Sequence, residues 1–358
     1  MKIRAAIVLN LALASCFAQS TDFEKIKTET ALDYLKVARS IQKEEAVYEK
    51  DWDSLFSSSG YEKYFVYNNT KKAKNVIKEA TYLVFDPSKK YKLDSTLAIP
   101  ITMETNWQYL MLIQNIYRLS QKMDQATEFL KETDFESLFN KADELARKYL
   151  PASFESKPEA LFDVFFVISD PDGKVNEGGI VVDLNTAITL SNDELIGLIA
   201  HEFHHNYRQL NTKDYEHPLM NEVNKIHQEG LADLIDKDVP PLDSLYFFPR
   251  SIIELYNHEY HQTPSRLETL QTKTLALIEG NMSDEEFESF VNYYFKFGGH
   301  PNGLYMALII KEELGLDVLI ESYNAPIEFL KLYNQALSKQ GKKSQFSEAF
   351  LRYIETLN

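Results

Sequence analysis

The segment IGLIAHEFHHNYRQ, residues 196–209, has the pattern HExxH at its centre. Residues four apart lie on one face of an α-helix, so the imidazoles of His201 and His205 can bind one metal ion together. Glu202 lies about 100° further round the helix, near enough to accept a proton from a water on that metal. His204 points to a different flank and is expected to be structural. The segment predicts a helical zinc site, because catalytic zinc takes imidazole ligands and keeps one position for water.

The flanking sequence indicates that this helix is buried. Ser191 and Glu194 form a capping-box pattern, which predicts a helix from about Asn192 to Arg208. Apolar side chains cover most of its sides. They are Leu195, Ile196, Leu198, Ile199, Ala200 and Phe203. The glutamate and histidines of a buried helix need partners, since unpaired buried polar groups cost several kcal/mol.

A second helix is predicted over about residues 219–235, and it contains the pattern ExxxD. Its two carboxylates, Glu229 and Asp233, share one face of the helix and follow His205 in the chain. We expect Glu229 to be the third metal ligand and Asp233 to accept the free ring N–H of His201. Acidic pairs at this spacing are also common on solvated helices. This pair is expected to belong to a metal site because it follows HExxH in the chain.

At these residues the chain resembles the gluzincin peptidases, in which HExxH is followed on a later helix by a glutamate ligand and, four residues on, an aspartate. It is most similar to a family of exported bacterial proteins described as zinc-dependent peptidases of unknown function. The similar segments are WDSLFSSSGY at 52–61, EGLAD at 229–233 and GGHPNGLYMA at 298–307. The resemblance covers most of the chain, and the zinc motif is its specific part.

The resemblance implies hydrolysis of a peptide or protein substrate with Zn²⁺. Glu202 would take a proton from the attacking water and pass it to the leaving amine. A strand edge beside the active helix would bind extended substrate, and residues 178–184 are the candidate strand, although they would equally suit a purely supporting strand. Tyr305 and His300 lie in the later glycine-containing segment and are the candidates for stabilising the oxyanion.

The remaining sequence predicts the fold class. Residues 22–149 have apolar side chains at three- and four-residue spacing, which predicts packed helices. Two short strands are expected at 162–169 and 178–184. We therefore predict a mostly helical α+β fold with a zincin-like core, a small sheet, and helical layers before and after it. The expected segments are a signal peptide at 1–18, an N-terminal helical region at 19–150, the core at 151–236 and a C-terminal helical region at 237–358, with 19–358 forming one compact unit.

The first residues predict export from the cytoplasm. Lys2 and Arg4 precede a mostly apolar run, residues 5–14, that is too short to cross a membrane. Cys16 ends a lipobox-like tetrapeptide and would carry a lipid anchor, whereas cleavage after Ala18 would give a secreted or periplasmic protein; both routes remain open. Cys16 is the only cysteine of the chain, so the mature fold holds no internal disulfide.

The charge of the chain limits its partners. A formal net charge of -16 repels the phosphate backbone, so nucleic acid is not an expected partner. Membrane contact is expected only through a lipid anchor at Cys16. Two other functions fit the sequence. One is a non-catalytic exported protein that binds peptide or metal on a peptidase-like fold, which the presence of Glu202 argues against. The other is an acidic helical scaffold without metal, which a measurement of zinc content distinguishes.

Overall fold

The computed structural model describes residues 24–66, 70–155, 160–210, 215–237, 239–243 and 248–357. In these ranges helices surround one four-stranded sheet, so the predicted mostly helical α+β fold is confirmed. The strands are β1 (Ile26–Lys27), β2 (Val164–Val167), β3 (Gly173–Asn176) and β4 (Gly179–Asp183). The expected signal peptide and Cys16 lie outside the described residues.

In the described ranges, helices lie between β1 and β2 and follow β4. They are α1 (Glu29–Gln42), α2 (Glu49–Phe56), α3 (Ser59–Tyr64), α4 (Thr70–Phe85), α5 (Lys90–Leu97), α6 (Trp107–Ser120), α7 (Met123–Glu132), α8 (Phe135–Arg147), α9 (Leu184–Thr189), α10 (Asn192–Gln209), α11 (Pro218–Asp236), α12 (Arg250–His261), α13 (Thr263–Ile278), α14 (Asp284–Val291), α15 (His300–Leu314), α16 (Leu316–Glu321), α17 (Pro326–Lys339) and α18 (Glu348–Thr356). Within the described ranges, none of them has both the length and the apolar character needed to cross a bilayer.

The sheet has the strand order β1-β2-β4-β3. The β1–β2 and β2–β4 pairs are parallel, and β3 runs antiparallel to β4. Every residue of β2 and β4 is buried, as expected of strands covered on both faces by helices. The prediction that residues 178–184 offer a free edge is wrong, because β4 is hydrogen-bonded on both sides. The free edge beside α10 belongs to β3.

The helix that carries HExxH begins where its capping box predicts. Ser191 N donates to Glu194 Oε2 at 2.7 Å, and Glu194 N donates to Ser191 Oγ at 3.3 Å. The reciprocal bonds satisfy two amide groups that a helix start otherwise leaves unpaired. α10 packs against α8, where the rings of Phe139 and Phe203 lie 4.7 Å apart, and against α11. The active helix is therefore held in the core rather than on the surface.

The contact between α11 and α15 depends on two glycines that face each other. A Cβ on Gly303 would lie 2.1 Å from the carbonyl oxygen of Ile226, and one on Gly230 would lie 2.5 Å from the carbonyl oxygen of Gly303. Any larger residue at either position would push the backbones apart. This close approach matters for the site, because α11 carries Glu229 and α15 begins at His300.

Gly303→Ala should destabilise the protein by about 3 kcal/mol, because the added methyl group meets backbone atoms that cannot move independently of their helices. The free energy of unfolding from urea titration measures the effect. Gly197→Ala is the matched control, since its Cβ would meet Asp236 at an ordinary 3.4 Å within a helix. It should be neutral or stabilising by up to about 1 kcal/mol. Equal midpoints for the two variants would contradict the packing described here.

Candidate active site

Helices α10 and α11 bring the three predicted metal ligands together. His205 Nε2 lies 3.0 Å from His201 Nε2 and 3.0 Å from Glu229 Oε2, and His201 Nε2 lies 3.6 Å from the same oxygen. Their side chains are between 4% and 18% exposed. We call these three residues the metal triad. Residues from the two patterns, HExxH and ExxxD, thus converge on one point in the structure.

The metal triad fits a zinc ion. Zinc lies about 2.0–2.2 Å from nitrogen and oxygen ligands, so two ligands at the tetrahedral angle are about 3.3 Å apart. The three separations of the triad, from 3.0 to 3.6 Å, bracket that value. Two imidazole nitrogens and one carboxylate oxygen are also the donor set of a catalytic zinc site with one position left for water. Both the distances and the chemistry therefore suit zinc.

The ring of His201 is oriented by Asp236, so the prediction that Asp233 does this is wrong. His201 Nδ1 lies 2.9 Å from Asp236 Oδ1 but 3.7 Å from Asp233 Oδ1. Because a carboxylate accepts, Nδ1 carries the proton and Nε2 offers its lone pair to the site. Burial alone would raise the pKa of Asp236, but Lys237 and His201 hold it below its usual range. Asp236 lies two turns after Glu229 on α11, and that spacing was the sequence signal for it.

Asp233 instead orients His300. His300 Nδ1 donates to Asp233 Oδ1 at 2.8 Å and lies 3.2 Å from Glu229 Oε2. Its ring stacks on that of His201 with the ring centroids 5.7 Å apart. Burial opposes protonation, yet the carboxylates of Asp233 and Glu229 raise the pKa of His300 to about 9. A cation in the metal triad would compete for Glu229 and weaken this effect.

A second group of ligand atoms overlaps the metal triad. His201, Glu229, Asp233 and His300 each offer one such atom, and the four atoms lie within 4.8 Å of one another. The triad is the tighter set, with every separation at or below 3.6 Å. Asp233 Oδ1 and His300 Nδ1 are already paired with each other through a hydrogen bond. The triad is therefore the better candidate for the metal, and the other two residues border it.

An unusual backbone segment places His300 at the site. Phe297, Gly298 and Gly299 have φ values of 52°, 64° and 96° in succession, a left-handed conformation that favours glycine. A Cβ on Gly299 would also lie 2.9 Å from Ile226 Cγ2, so the segment lies directly against α11. The glycines in this part of the sequence therefore mark a close backbone approach.

Glu202 lies beside the metal triad under the edge strand. It is 5% exposed, and a Cβ on Gly173 of β3 would lie 3.2 Å from Glu202 Oε1. Burial raises the pKa of Glu202, and His201 and His205 only partly oppose that rise. A more basic carboxylate is a better proton acceptor near neutral pH. The location and the environment of Glu202 both suit the predicted general base.

The structure does not bring Tyr305 to the site. Its ring packs against Tyr260 of α12 with centroids 5.1 Å apart, and its hydroxyl lies beside that of Tyr333 on α17. Five residues separate Tyr305 from His300, which turns its side chain by about 140° around α15. The glycine segment was the only sequence signal for both residues, and it did not show that they point to different sides of one helix.

His204 lies on a different flank of α10 from the metal triad, with its ring centroid 6.4 Å from that of His205. Its ring is fully buried and meets Tyr323 edge to face at 5.2 Å between centroids. Burial holds the pKa of His204 far below its usual range, so the ring is neutral. This is the structural role expected from its position in the motif.

Residues 52–342 match the protein family described as “Putative zinc dependent peptidase (DUF5700)”. The chain belongs to this family. The match includes α10, α11 and the start of α15, and thus every residue that meets at the site. No curated protein and no solved structure matches the chain. Membership confirms the predicted link to zinc-dependent peptidases, whereas the relation to the gluzincins and the expected export stay predictions.

Proposed function

We propose that the protein is a zinc metallopeptidase that hydrolyses peptide bonds with Glu202 as general base. The observation that carries the proposal is the convergence of His201 Nε2, His205 Nε2 and Glu229 Oε2 within 3.6 Å, next to a buried carboxylate. A pure binding site has no need for a buried base beside its metal ligands, because the base costs desolvation energy. Family membership supports the same reaction.

The side chains of the site divide the chemistry between them. Bound zinc would supply a Lewis acid that polarises the scissile carbonyl and activates water near neutral pH. Glu202 accepts the proton of the attacking water and then donates it to the leaving amine. His300, which borders the triad and bonds to Asp233, would donate a hydrogen bond to the oxygen that becomes negative.

The free edge of β3 is the proposed binding site for the substrate backbone. Asp183 N donates to Asp172 O at 3.0 Å, and hydrogen-bonded pairs alternate along an antiparallel ladder. In the register of β3 and β4, the backbone groups of Gly173 and Val175 therefore point away from β4. Gly173 also touches Glu202. A peptide added to this edge would place its backbone beside the general base.

Val175→Pro should raise KM for a peptide substrate about 5–10-fold, because proline removes one outward N–H worth roughly 1 kcal/mol. The sheet should tolerate the change, since that N–H takes no part in pairing with β4. Steady-state kinetics measures KM, and zinc content should stay constant. Val175→Ala is the control, because it trims the same side chain and keeps the N–H. If Val175→Pro and Val175→Ala give the same KM, this edge does not bind substrate.

The most direct test of the function combines metal analysis with a peptide digest. Purified protein should contain about one zinc per chain and cleave members of a peptide library. Cleavage should stop after chelation and return when zinc is added back. A protein that lacks zinc, or that binds zinc without cleaving any peptide, would remove the proposal; the second result would favour the non-catalytic binding protein.

We also propose that the mature protein acts outside the cytoplasm, on the basis of the apolar leader and the lipobox-like sequence that ends at Cys16. The mass of the mature N-terminal peptide distinguishes the two processing routes. A diacylated Cys16 indicates a lipid anchor, and a peptide that begins at Gln19 indicates a cleaved signal. An unprocessed Met1 in the mature protein would contradict export by either route.

A further inference from the structure

Tyr256 is a buried tyrosine that the sequence did not single out. It lies on α12, is 2% exposed, and its hydroxyl has no hydrogen-bond partner among the described residues. A tyrosine hydroxyl usually finds a partner when it is buried, since an unmade bond costs about 1–3 kcal/mol. The location of Tyr256 therefore requires an explanation beyond packing.

The second unsatisfied atom nearby belongs to Asp233. Its Oδ1 accepts from His300 Nδ1, but its Oδ2 is fully buried and has no hydrogen-bond partner in the described part of the chain. Burial raises the pKa of Tyr256, and among the charged groups around it the carboxylate of Asp233 adds most to that rise. The core around α11 and α12 thus contains a buried donor without an acceptor and a buried acceptor without a donor.

The ring of Tyr256 also contacts the backbone segment that precedes His300. It packs against Phe297 with the ring centroids 5.5 Å apart, and Phe297 has a positive φ of 52° in the segment that delivers His300. A positive φ is strained for a bulky residue and persists only when the surroundings enforce it. Tyr256 therefore packs against the backbone segment that leads into His300.

We propose that Tyr256 is a positioning residue whose hydroxyl reaches Asp233 Oδ2 through one buried water and so fixes the imidazole of His300 beside the metal triad. With both of its oxygens hydrogen-bonded, the carboxylate of Asp233 cannot rotate, so the hydrogen bond that it accepts from His300 Nδ1 keeps one direction. The catalytic consequence rests on the proposed peptidase function, whereas the positioning itself does not.

The test compares Tyr256→Phe with Tyr260→Phe, one turn further along α12. Tyr260 is a matched control, because its ring packs against Tyr305 and His261 rather than against the site. In metal-free protein with isotope-labelled histidine, Tyr256→Phe should shift the Nδ1–H resonance of His300, and Tyr260→Phe should leave it in place. In the zinc-loaded enzyme, Tyr256→Phe should lower kcat about 10-fold with KM within twofold, which is typical of a lost supporting hydrogen bond.

The two readouts separate the two hypotheses. A shifted His300 resonance in a protein that cleaves no peptide supports the positioning role of Tyr256 and contradicts the proposed peptidase function. An unchanged resonance in a folded Tyr256→Phe variant overturns the positioning role, whatever the activity. If that variant does not fold, a crystal structure of the wild type decides. It should show one water within about 3.2 Å of both Tyr256 Oη and Asp233 Oδ2, and the absence of such a water overturns the proposal.

Discussion

Glu202→Gln should lower kcat/KM for peptide hydrolysis by about 10²–10⁴-fold, the range in which a positioned general base contributes to a rate. The amide has nearly the shape of the carboxylate but cannot accept the proton of the attacking water. Because Glu202 is not one of the metal triad, zinc content should remain at about one per chain. Steady-state kinetics on a cleaved library peptide, with metal analysis of the same preparation, measures both.

The matched control is Glu194→Gln, the other glutamate of α10. Glu194 is exposed and caps the start of the helix, two turns before His201, so its loss should cost at most about 1 kcal/mol of stability and leave kcat/KM unchanged. If Glu202→Gln cleaves as fast as Glu194→Gln, another group removes the proton. The reaction would then need a different base even with zinc in place.

The sequence predicted the elements of the site well because they obey local rules. A capping box starts α10 at the predicted residue, and helical spacing places His201 and His205 on one face. Proline at the first turn starts α11 at Pro218, within a residue of the expected boundary. These signals depend on residues three or four apart, so a single sequence contains them in full.

The sheet was less predictable, because its edges are decided by contacts between distant segments. Residues 178–184 have the apolar, β-branched character of a strand, and they form one. That same character reflects burial on both sides, which is the reason β4 cannot be an edge. The true edge, GKVN at 173–176, is short and partly polar, so its composition resembles a turn. β1 pairs with β2 across more than 130 residues of chain, and no local pattern reveals such a pair.

The partners of the two site histidines were also beyond the sequence. Asp233 and Asp236 lie three residues apart on one face of α11, so either could meet His201. Asp233 can accept a hydrogen bond from His300 only because Gly230 and Gly303 allow α15 to approach α11 so closely. Asp236 then takes His201. The choice depends on the packing of a helix that begins more than 60 residues later in the chain.

His205→Ala should abolish stoichiometric zinc binding and, with it, hydrolysis. Its Nε2 is the atom nearest to both other members of the metal triad, so its loss leaves two ligands. Removing an outer partner of a ligand already costs about 10–100-fold in metal affinity, and removing a ligand itself should cost more. Competition with a chelator of known affinity measures the change. His204→Ala is the control, because that ring packs against Tyr323 on a different flank of α10, and its loss should affect stability without removing a zinc ligand.

The same titration ranks the two aspartates of α11 and so tests the geometry. Asp236→Asn should weaken zinc binding about 10–100-fold, because Asp236 fixes the tautomer of His201. Asp233→Asn should change zinc affinity less and kcat more, since Asp233 bonds to His300 and stands 3.7 Å from His201 Nδ1. The reverse order would indicate that Asp233 accepts the hydrogen bond of His201 Nδ1, as the sequence pattern alone suggests. Because both substitutions remove one charge from the same helix face, a purely electrostatic effect on zinc would make them equal.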